Sequence, residues 1–285
     1  MAIVNLRDIY KAELSEEHFD KLARLIMNET GIKMPPVKRV MVQSRLKKRL
    51  RELNMSSFDD YVKYAFSEEG FQTEVVHIFD VISTNKTDFF REPVHFSFLR
   101  DIILPEFSLG NNGKALKVWS AACSSGEEAV TTAMVINEFL NETHNFDYAI
   151  HGTDISTHIL RMASNGVYSE DRVKPAVPEI LLRKYFMKSK DPARKTYRVV
   201  PELRQKIKYS RLNFMDDGYN MPEKYDLIFC RNVLIYFDRP TQESVVSKLC
   251  HYLKPGGYII HGHSESFIGM QLPLKAIRPT IFQMV

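Results

Sequence analysis

Val118-Trp119-Ser120-Ala121-Ala122-Cys123-Ser124-Ser125-Gly126-Glu127-Glu128 reads as a strand, a turn of small residues and the start of a helix. Two later stretches repeat the grammar. Tyr148-Ala149-Ile150-His151-Gly152-Thr153-Asp154 is a strand ending in a carboxylate, and Tyr225-Asp226-Leu227-Ile228-Phe229-Cys230-Arg231-Asn232 runs out into Val233-Leu234-Ile235-Tyr236-Phe237. Strands rich in Val, Ile and Phe that alternate with helices predict an α/β domain, a mainly parallel sheet with helices on both faces. In such sheets ligands lie beyond the carboxyl ends of the strands, where an acidic residue after the second strand takes the hydroxyls of a ribose. The pattern points to a nucleoside-binding enzyme.

Further along, Pro240 to Leu253 reads as a helix closed by Lys254-Pro255-Gly256-Gly257, and Tyr258 to His261 and Thr280 to Met284 read as a closing antiparallel pair. The segment from about Ile180 to Arg211 does not fit a simple crossover. Tyr185-Phe186-Met187, Thr196-Tyr197-Arg198-Val199-Val200 and Ile207-Lys208-Tyr209 look like short strands of a small antiparallel β-subdomain inserted at about 180–211. Upstream, residues 1–84 read as a helical domain. Ser15-Glu16-Glu17-His18-Phe19 resembles a capping box, Gly31 ends that helix, and Pro35-Pro36 starts the next. Val42, Leu46, Leu50 and Leu53 form its apolar stripe, with Arg45, Lys48, Arg49 and Glu52 on another side. Residues 85–113 form a linker to the α/β domain at 114–285.

A formal charge of +4 over 285 residues is too mild to imply nucleic acid by itself. Its distribution is uneven, since Lys38, Arg39, Arg45, Lys47, Lys48, Arg49 and Arg51 fall together with no acid among them before Glu52. Cys123, Cys230 and Cys250 are too widely spaced for a C-x-x-C pair and read as reduced structural thiols. Met1 to Tyr10 holds no apolar signal core, and no run approaches the roughly 18 apolar residues of a membrane span, so a cytoplasmic protein is expected.

The turn after the first strand carries only Gly126, so the G-x-G-x-x-G fingerprint of nicotinamide and flavin enzymes is absent. Glu128 at the helix start would repel a pyrophosphate and accept from an ammonium or hydroxyl. A nucleoside with a cationic tail, such as S-adenosylmethionine, fits. Glu127 and Glu128 read equally well as residues that complement the helix dipole. Ser83-Thr84-Asn85-Lys86-Thr87-Asp88-Phe89-Phe90-Arg91-Glu92 reads either as a ligand-contacting linker or as a helix cap with Phe89 and Phe90 as core anchors. His151, His261 and His263 lie along strands without metal-ligand spacing, and no metal is expected.

Four blocks carry a resemblance: Asn85 to Glu92, Val118 to Glu128, Phe229 to Phe237, and Gly262-His263-Ser264-Glu265. Together they resemble the chemotaxis receptor methyltransferases, the CheR family, over nearly the whole chain. The resemblance implies a class I, Rossmann-like methyltransferase that transfers a methyl group from S-adenosylmethionine to glutamate side chains on the cytoplasmic helices of chemoreceptors. It also implies cofactor contacts at Asn85, Thr87, Arg91, Glu128, Asp154, Asn213, Phe214, Arg231 and Asn232, with Phe214 a departure from the commoner leucine. Arg91 and Tyr236 are implied to face the reacting groups.

By the same resemblance Arg45, Lys48, Arg49 and Arg51 match basic residues that dock the acidic receptor. A methyltransferase acting on nucleic acid or on another signalling protein is the alternative, but the Asn/Asp-Pro-Pro-Tyr motif of amino-methylating enzymes is missing. A noncatalytic relative is disfavoured by the presence of Arg91, Asp154 and Tyr236. Some family members grip a receptor tail with a glycine-containing loop of the β-subdomain. Met187-Lys188-Ser189-Lys190-Asp191-Pro192 offers no glycine there, so tail binding is not expected. A monomer without membrane insertion is expected.

Overall fold

The computed structural model describes residues 6–82, 86–110, 113–143 and 145–285. Ten strands are described: β1 Leu116–Ala121, β2 Tyr148–Asp154, β3 Val167–Ser169, β4 Phe186–Lys188, β5 Thr196–Val199, β6 Ile207–Arg211, β7 Tyr225–Cys230, β8 Leu253–His261, β9 Leu274–Arg278 and β10 Ile281–Met284. The larger sheet has the order β6-β2-β1-β7-β8-β10-β9. Its first five strands are parallel, β10 runs antiparallel to β8, and β9 antiparallel to β10.

β1 and β7 sit at the centre because they are apolar on both faces. Val118 pairs with Ile150 on one side and Leu227 on the other, all buried. Strands covered on both faces read as nearly continuous apolar runs, as these two do. Chain order reverses between β1 and β7, and the carboxyl ends of β6, β2, β1 and β7 open at that switch point.

Several expectations need correction. Ile207–Arg211 is not part of the small sheet; it is the parallel edge strand of the large one, with Gly152 opposite Tyr209. An alternating run reads the same whether its partner is a hairpin neighbour or a parallel strand far away in sequence. The small sheet is β3-β5-β4, antiparallel, and it begins at Val167, immediately after Gly166 caps the helix Thr157–Asn165. It therefore lies inside the β2-to-β6 crossover. β9 was not expected; its side chains are mostly exposed, so no apolar pattern marks it.

Most of the segment expected as a linker, 85–113, is also more structured than a connector. Val94–Phe98, a π-helical turn Leu99–Ile103 and Leu104–Gly110 follow without a break. Phe96, Phe98, Leu99, Ile103 and Leu104 pack in one core with Leu116, Val118 and Phe229, so this run belongs to the sheet's own core.

The amino-terminal helices are Leu6–Lys11, Glu16–Thr30, Arg39–Glu52, Phe58–Ala65 and Phe71–Ile82. The first of them was not foreseen. Ser15 caps the second through His18 N, and Gly31 ends it with φ 70°. A Cβ on Gly31 would also stand 2.7 Å from Met215 Sδ, which belongs to the α/β domain. Lys33 N donates to Tyr236 O at 3.2 Å across the same seam.

Val42, Leu46 and Leu50 face inward from Arg39–Glu52 as expected. The cations divide differently. Arg49 is turned into the bundle, where Nη2 and Nε meet Glu74 Oε1 and Oε2 at 2.6 and 3.0 Å and Nη1 reaches Glu52 Oε2 at 3.0 Å. Glu74 is fully buried. Arg45 donates to Val81 O and Ile82 O at 2.9 and 3.3 Å, serving the carboxyl end of Phe71–Ile82. Lys48 and Arg51 remain exposed. A stretch of seven cations conceals this split because a carboxylate 25 positions away decides it.

Candidate cofactor and active site

A cleft of about 1070 Å³, open mouth included, lies over the switch point. Thr87, Arg91, Glu128, Asp154, Asn213, Phe214, Arg231, Asn232 and Tyr236 all line it. Asn85 lies outside the described residues. The helical domain supplies a wall that the sequence did not suggest: Thr30, Ile32, Met34, Lys38 and Ile82.

The turn after β1 explains the missing glycines. Ala122 and Ser124 adopt left-handed backbone, with φ 62° and 49°, at some cost in strain, alongside Gly126 at 93°. Only Gly126 is irreplaceable on steric grounds, since a Cβ there would meet Tyr209 Oη at 2.7 Å. The turn is held by Asp154, whose Oδ2 accepts from Ser124 N and whose Oδ1 accepts from Ser156 N, each at 3.0 Å. Burial raises the Asp154 carboxyl, and those backbone amides oppose the rise. A carboxylate has about four acceptor sites, so capacity remains for a ligand in the cleft.

Glu128 accepts from Ser120 Oγ at 2.6 Å and from Arg231 Nη1 at 2.9 Å. Arg231 is 3% exposed and also reaches Glu92 Oε2 at 3.2 Å and the carbonyl of Arg91. It staples the linker to the first helix of the α/β domain. Asn213 likewise faces the cleft but gives its amide to Glu29 O at 2.6 Å, closing the seam between the domains. Arg91 Nη1 donates to Lys86 O at 2.9 Å. Tyr236 lies on the turn Leu234–Tyr236 with Lys38 Nζ 5.7 Å above its ring, within cation–π range.

Glu265 and Glu92 stand in the motifs without an expected role, and both build this site. Glu265 accepts from the backbone amides of Asn232, Val233, Leu234 and Gly262 at 2.7 to 2.8 Å, fixing Asn232 at φ 60° and the turn that carries Tyr236. Burial raises its carboxyl even against those four donors. Glu92 accepts from Asn232 Nδ2 and His263 N at 3.2 and 3.3 Å. Burial pushes Glu92 up, but Arg231 and these donors outweigh it and leave it below its usual range. Apart from Gly262, their partners lie 31 to 171 positions away, so local pattern gives no signal.

Glu92, His95 and His263 bring ligand atoms within 4.8 Å of one another. Arg231 already supplies the cation of that cluster, 3.2 Å from Glu92. His95 is fully buried and its pKa falls to about 3, chiefly through burial and then through Arg231. His151 bridges Tyr225 Oη and Ser210 Oγ at 2.9 and 2.7 Å, a structural role. The three cysteines are free and buried.

The lining fits a nucleoside with a cationic tail. Asp154 offers acceptors for a diol, Ile82, Ile155, Leu212 and Phe214 offer an apolar wall for a base, and Glu128 offers a carboxylate for an ammonium. Residues 17–83 match the family model described as CheR methyltransferase, all-alpha domain, and residues 85–282 match CheR methyltransferase, SAM binding domain. The chain is 35% identical over 274 residues to the chemotaxis protein methyltransferase of Borreliella burgdorferi, covering 95% of each chain. It is 36% identical over 264 residues to that of Salmonella typhimurium, covering 93% of this chain and 88% of the relative.

Proposed function

This chain belongs to the CheR methyltransferase family and is an S-adenosylmethionine-dependent methyltransferase, and we propose that it esterifies glutamate side chains on the cytoplasmic helices of a chemoreceptor. The observation that supports this reading best is the convergence of Arg91, Glu128, Asp154 and Tyr236, from four separated segments, on one cleft bounded by the basic helical domain.

When bound, S-adenosylmethionine supplies a sulfonium-borne methyl group open to in-line displacement. The acceptor carboxylate has an ordinary pKa near 4.3 and is ionised at neutral pH, so no residue of the chain has to act as a base. Asp154 holds the ribose hydroxyls, Glu128 the ammonium end, and Phe214 with Leu212 the base. Thr87 contributes from the linker, while Arg231, Asn213 and Asn232 position the walls. Arg91 and Tyr236 orient the acceptor from the side; a guanidinium set squarely on the attacking oxygen would stabilise the ground state more than the transition state. Alignment of this kind is worth up to roughly 7–11 kcal/mol in intramolecular models. A water-poor cleft helps because both charges diminish as the methyl moves.

Receptor docking falls to the exposed cations Lys48 and Arg51, with Arg45 and Arg49 shaping the helix that presents them. The β4–β5 connection does not serve as a tail-binding loop. It is closed on itself by Asp191 Oδ1 capping Ala193 N, Ser189 Oγ accepting from Asp191 N, and an Arg194–Asp191 ion pair at 3.3 Å. No helix among the described residues is long and apolar enough to cross a membrane. A cytoplasmic monomer completes the proposal.

The test is transfer of labelled methyl from S-adenosylmethionine to a receptor cytoplasmic fragment, with plasmid DNA as control. Label in the receptor, released as methanol by alkali, supports the reading. Label in DNA, or in neither, refutes it.

A further inference from the structure

We infer that Arg172 is a positioning residue for the cofactor, clamping the linker at Thr87 to the helix that begins at Glu127, so that the small sheet holds one side of the cleft in place. The inference rests on the placement of Thr87 in the cofactor site proposed above.

Arg172 lies on the short helix Glu170–Val173 that follows β3. Its Nη2 stands 3.0 Å from the carbonyl oxygen of Thr87 and 2.5 Å from Glu127 Oε1. Glu127 is fully buried, and its second oxygen accepts from Ser125 Oγ at 2.7 Å. Burial holds that carboxyl above its usual range, Ser125 and Arg172 pull it down, and Asp88 of the linker pushes it up. The linker and the helix thus present like charges to each other, and Arg172 is the cation between them.

The same strand provides a second clasp. Tyr168 donates to Ser125 O at 2.8 Å, and its ring meets Phe89 edge-on with centroids 4.9 Å apart. Phe186 of β4 meets Phe89 from another side at 5.6 Å. Lys86–Asp88 form neither helix nor strand, so the position of Thr87 depends on side chains that reach it from elsewhere. Both ends of the clamp line or adjoin the cofactor turn, which explains why a small sheet remote from the chemistry is built into the crossover.

The test compares the full chain with Arg172→Ala, Arg172→Lys and the double variant Arg172→Ala with Glu127→Gln, by calorimetric titration with S-adenosylhomocysteine and by melting without it. Arg172→Ala is expected to lower the melting temperature and raise Kd about tenfold, the lower end for losing one charge-assisted hydrogen bond. Glu127→Gln removes the unpaired buried charge, so the double variant recovers the melting temperature while Kd stays raised; Arg172→Lys falls between. A double variant that recovers the parent Kd, or single variants that melt early yet bind like the parent, would reduce Arg172 to a purely structural role and overturn the inference. A parent chain that fails to bind S-adenosylhomocysteine would overturn the cofactor assignment instead.

Discussion

Replacing Arg49 by alanine should destabilise the fold far more than reversing both Lys48 and Arg51, although all three sit in one basic stretch. The Arg49 guanidinium makes a two-pronged pair with Glu74, at 2.6 and 3.0 Å, and Glu74 has no exposed surface. Removing one partner of a buried ion pair strands the other and costs about 3–5 kcal/mol. For a chain of this size that corresponds to roughly 5–15 °C in melting temperature. The neighbouring Tyr61 hydroxyl, raised first by burial and then by Glu74, feels the same carboxylate, so the damage extends into the bundle core. Lys48→Glu with Arg51→Glu touches exposed side chains and should leave the melting temperature within about 1 °C. It should instead slow receptor methylation, with the difference from the parent shrinking as salt rises past the point where the Debye length is about 8 Å. Urea denaturation and methyl transfer measured on both variants separate the roles. The reasoning fails if Arg49→Ala melts with the parent, or if pairing Arg49→Met with Glu74→Gln recovers none of the loss.

Asp154→Asn keeps one acceptor but turns an amide donor toward the diol, so calorimetry should show S-adenosylhomocysteine bound roughly ten- to a hundredfold more weakly; parent affinity would remove Asp154 from the ribose site. Tyr236→Phe retains the ring beneath Lys38 and should cut the single-turnover rate roughly tenfold, a loss of one hydrogen bond in the transition state, without changing cofactor affinity. A parent-like rate would end its positioning role. His95 has its pKa lowered to about 3 from an ordinary 6.5, so its neutral ring stabilises the fold fully above pH 6.5, and that stability is lost as pH falls toward 3. His95→Gln should therefore flatten the fall in urea stability between pH 6 and 4 by about 1.4 kcal/mol per pH unit, and parallel slopes would contradict the burial argument.

The parts of this fold legible in the sequence are those decided by neighbours. β2 ends at Asp154 as its pattern indicates, and Gly31 and Ser15 mark the ends of their helix through local backbone geometry. The strand at Ile207 was assigned to the wrong sheet because periodicity carries no information about the partner. The missing glycines after β1 count against a nicotinamide or flavin site. Yet Ala122 and Ser124 take the left-handed backbone that glycine would have signalled, and Ser124 N is bonded to Asp154 from 30 positions away. The resemblance implies ligand contacts at Arg231 and Asn213; both line the cleft, and the structure also gives their polar atoms protein partners in Glu128, Glu92 and Glu29, which no local pattern announces. Phe89 is both things the sequence left open, a core anchor beside a cleft-lining Thr87.

Delivery of a methyl group from this cleft to a receptor glutamate is the proposal on which the rest depends. Locating the methyl by peptide mass spectrometry, after incubating the full chain with S-adenosylmethionine and a receptor cytoplasmic fragment, tests it directly. Alkali-labile methyl groups are expected on glutamate side chains along one helical face, abolished when those glutamates are replaced by alanine. Methyl groups on lysine or other amines, or an unmodified receptor beside an enzyme that binds S-adenosylhomocysteine, would contradict it.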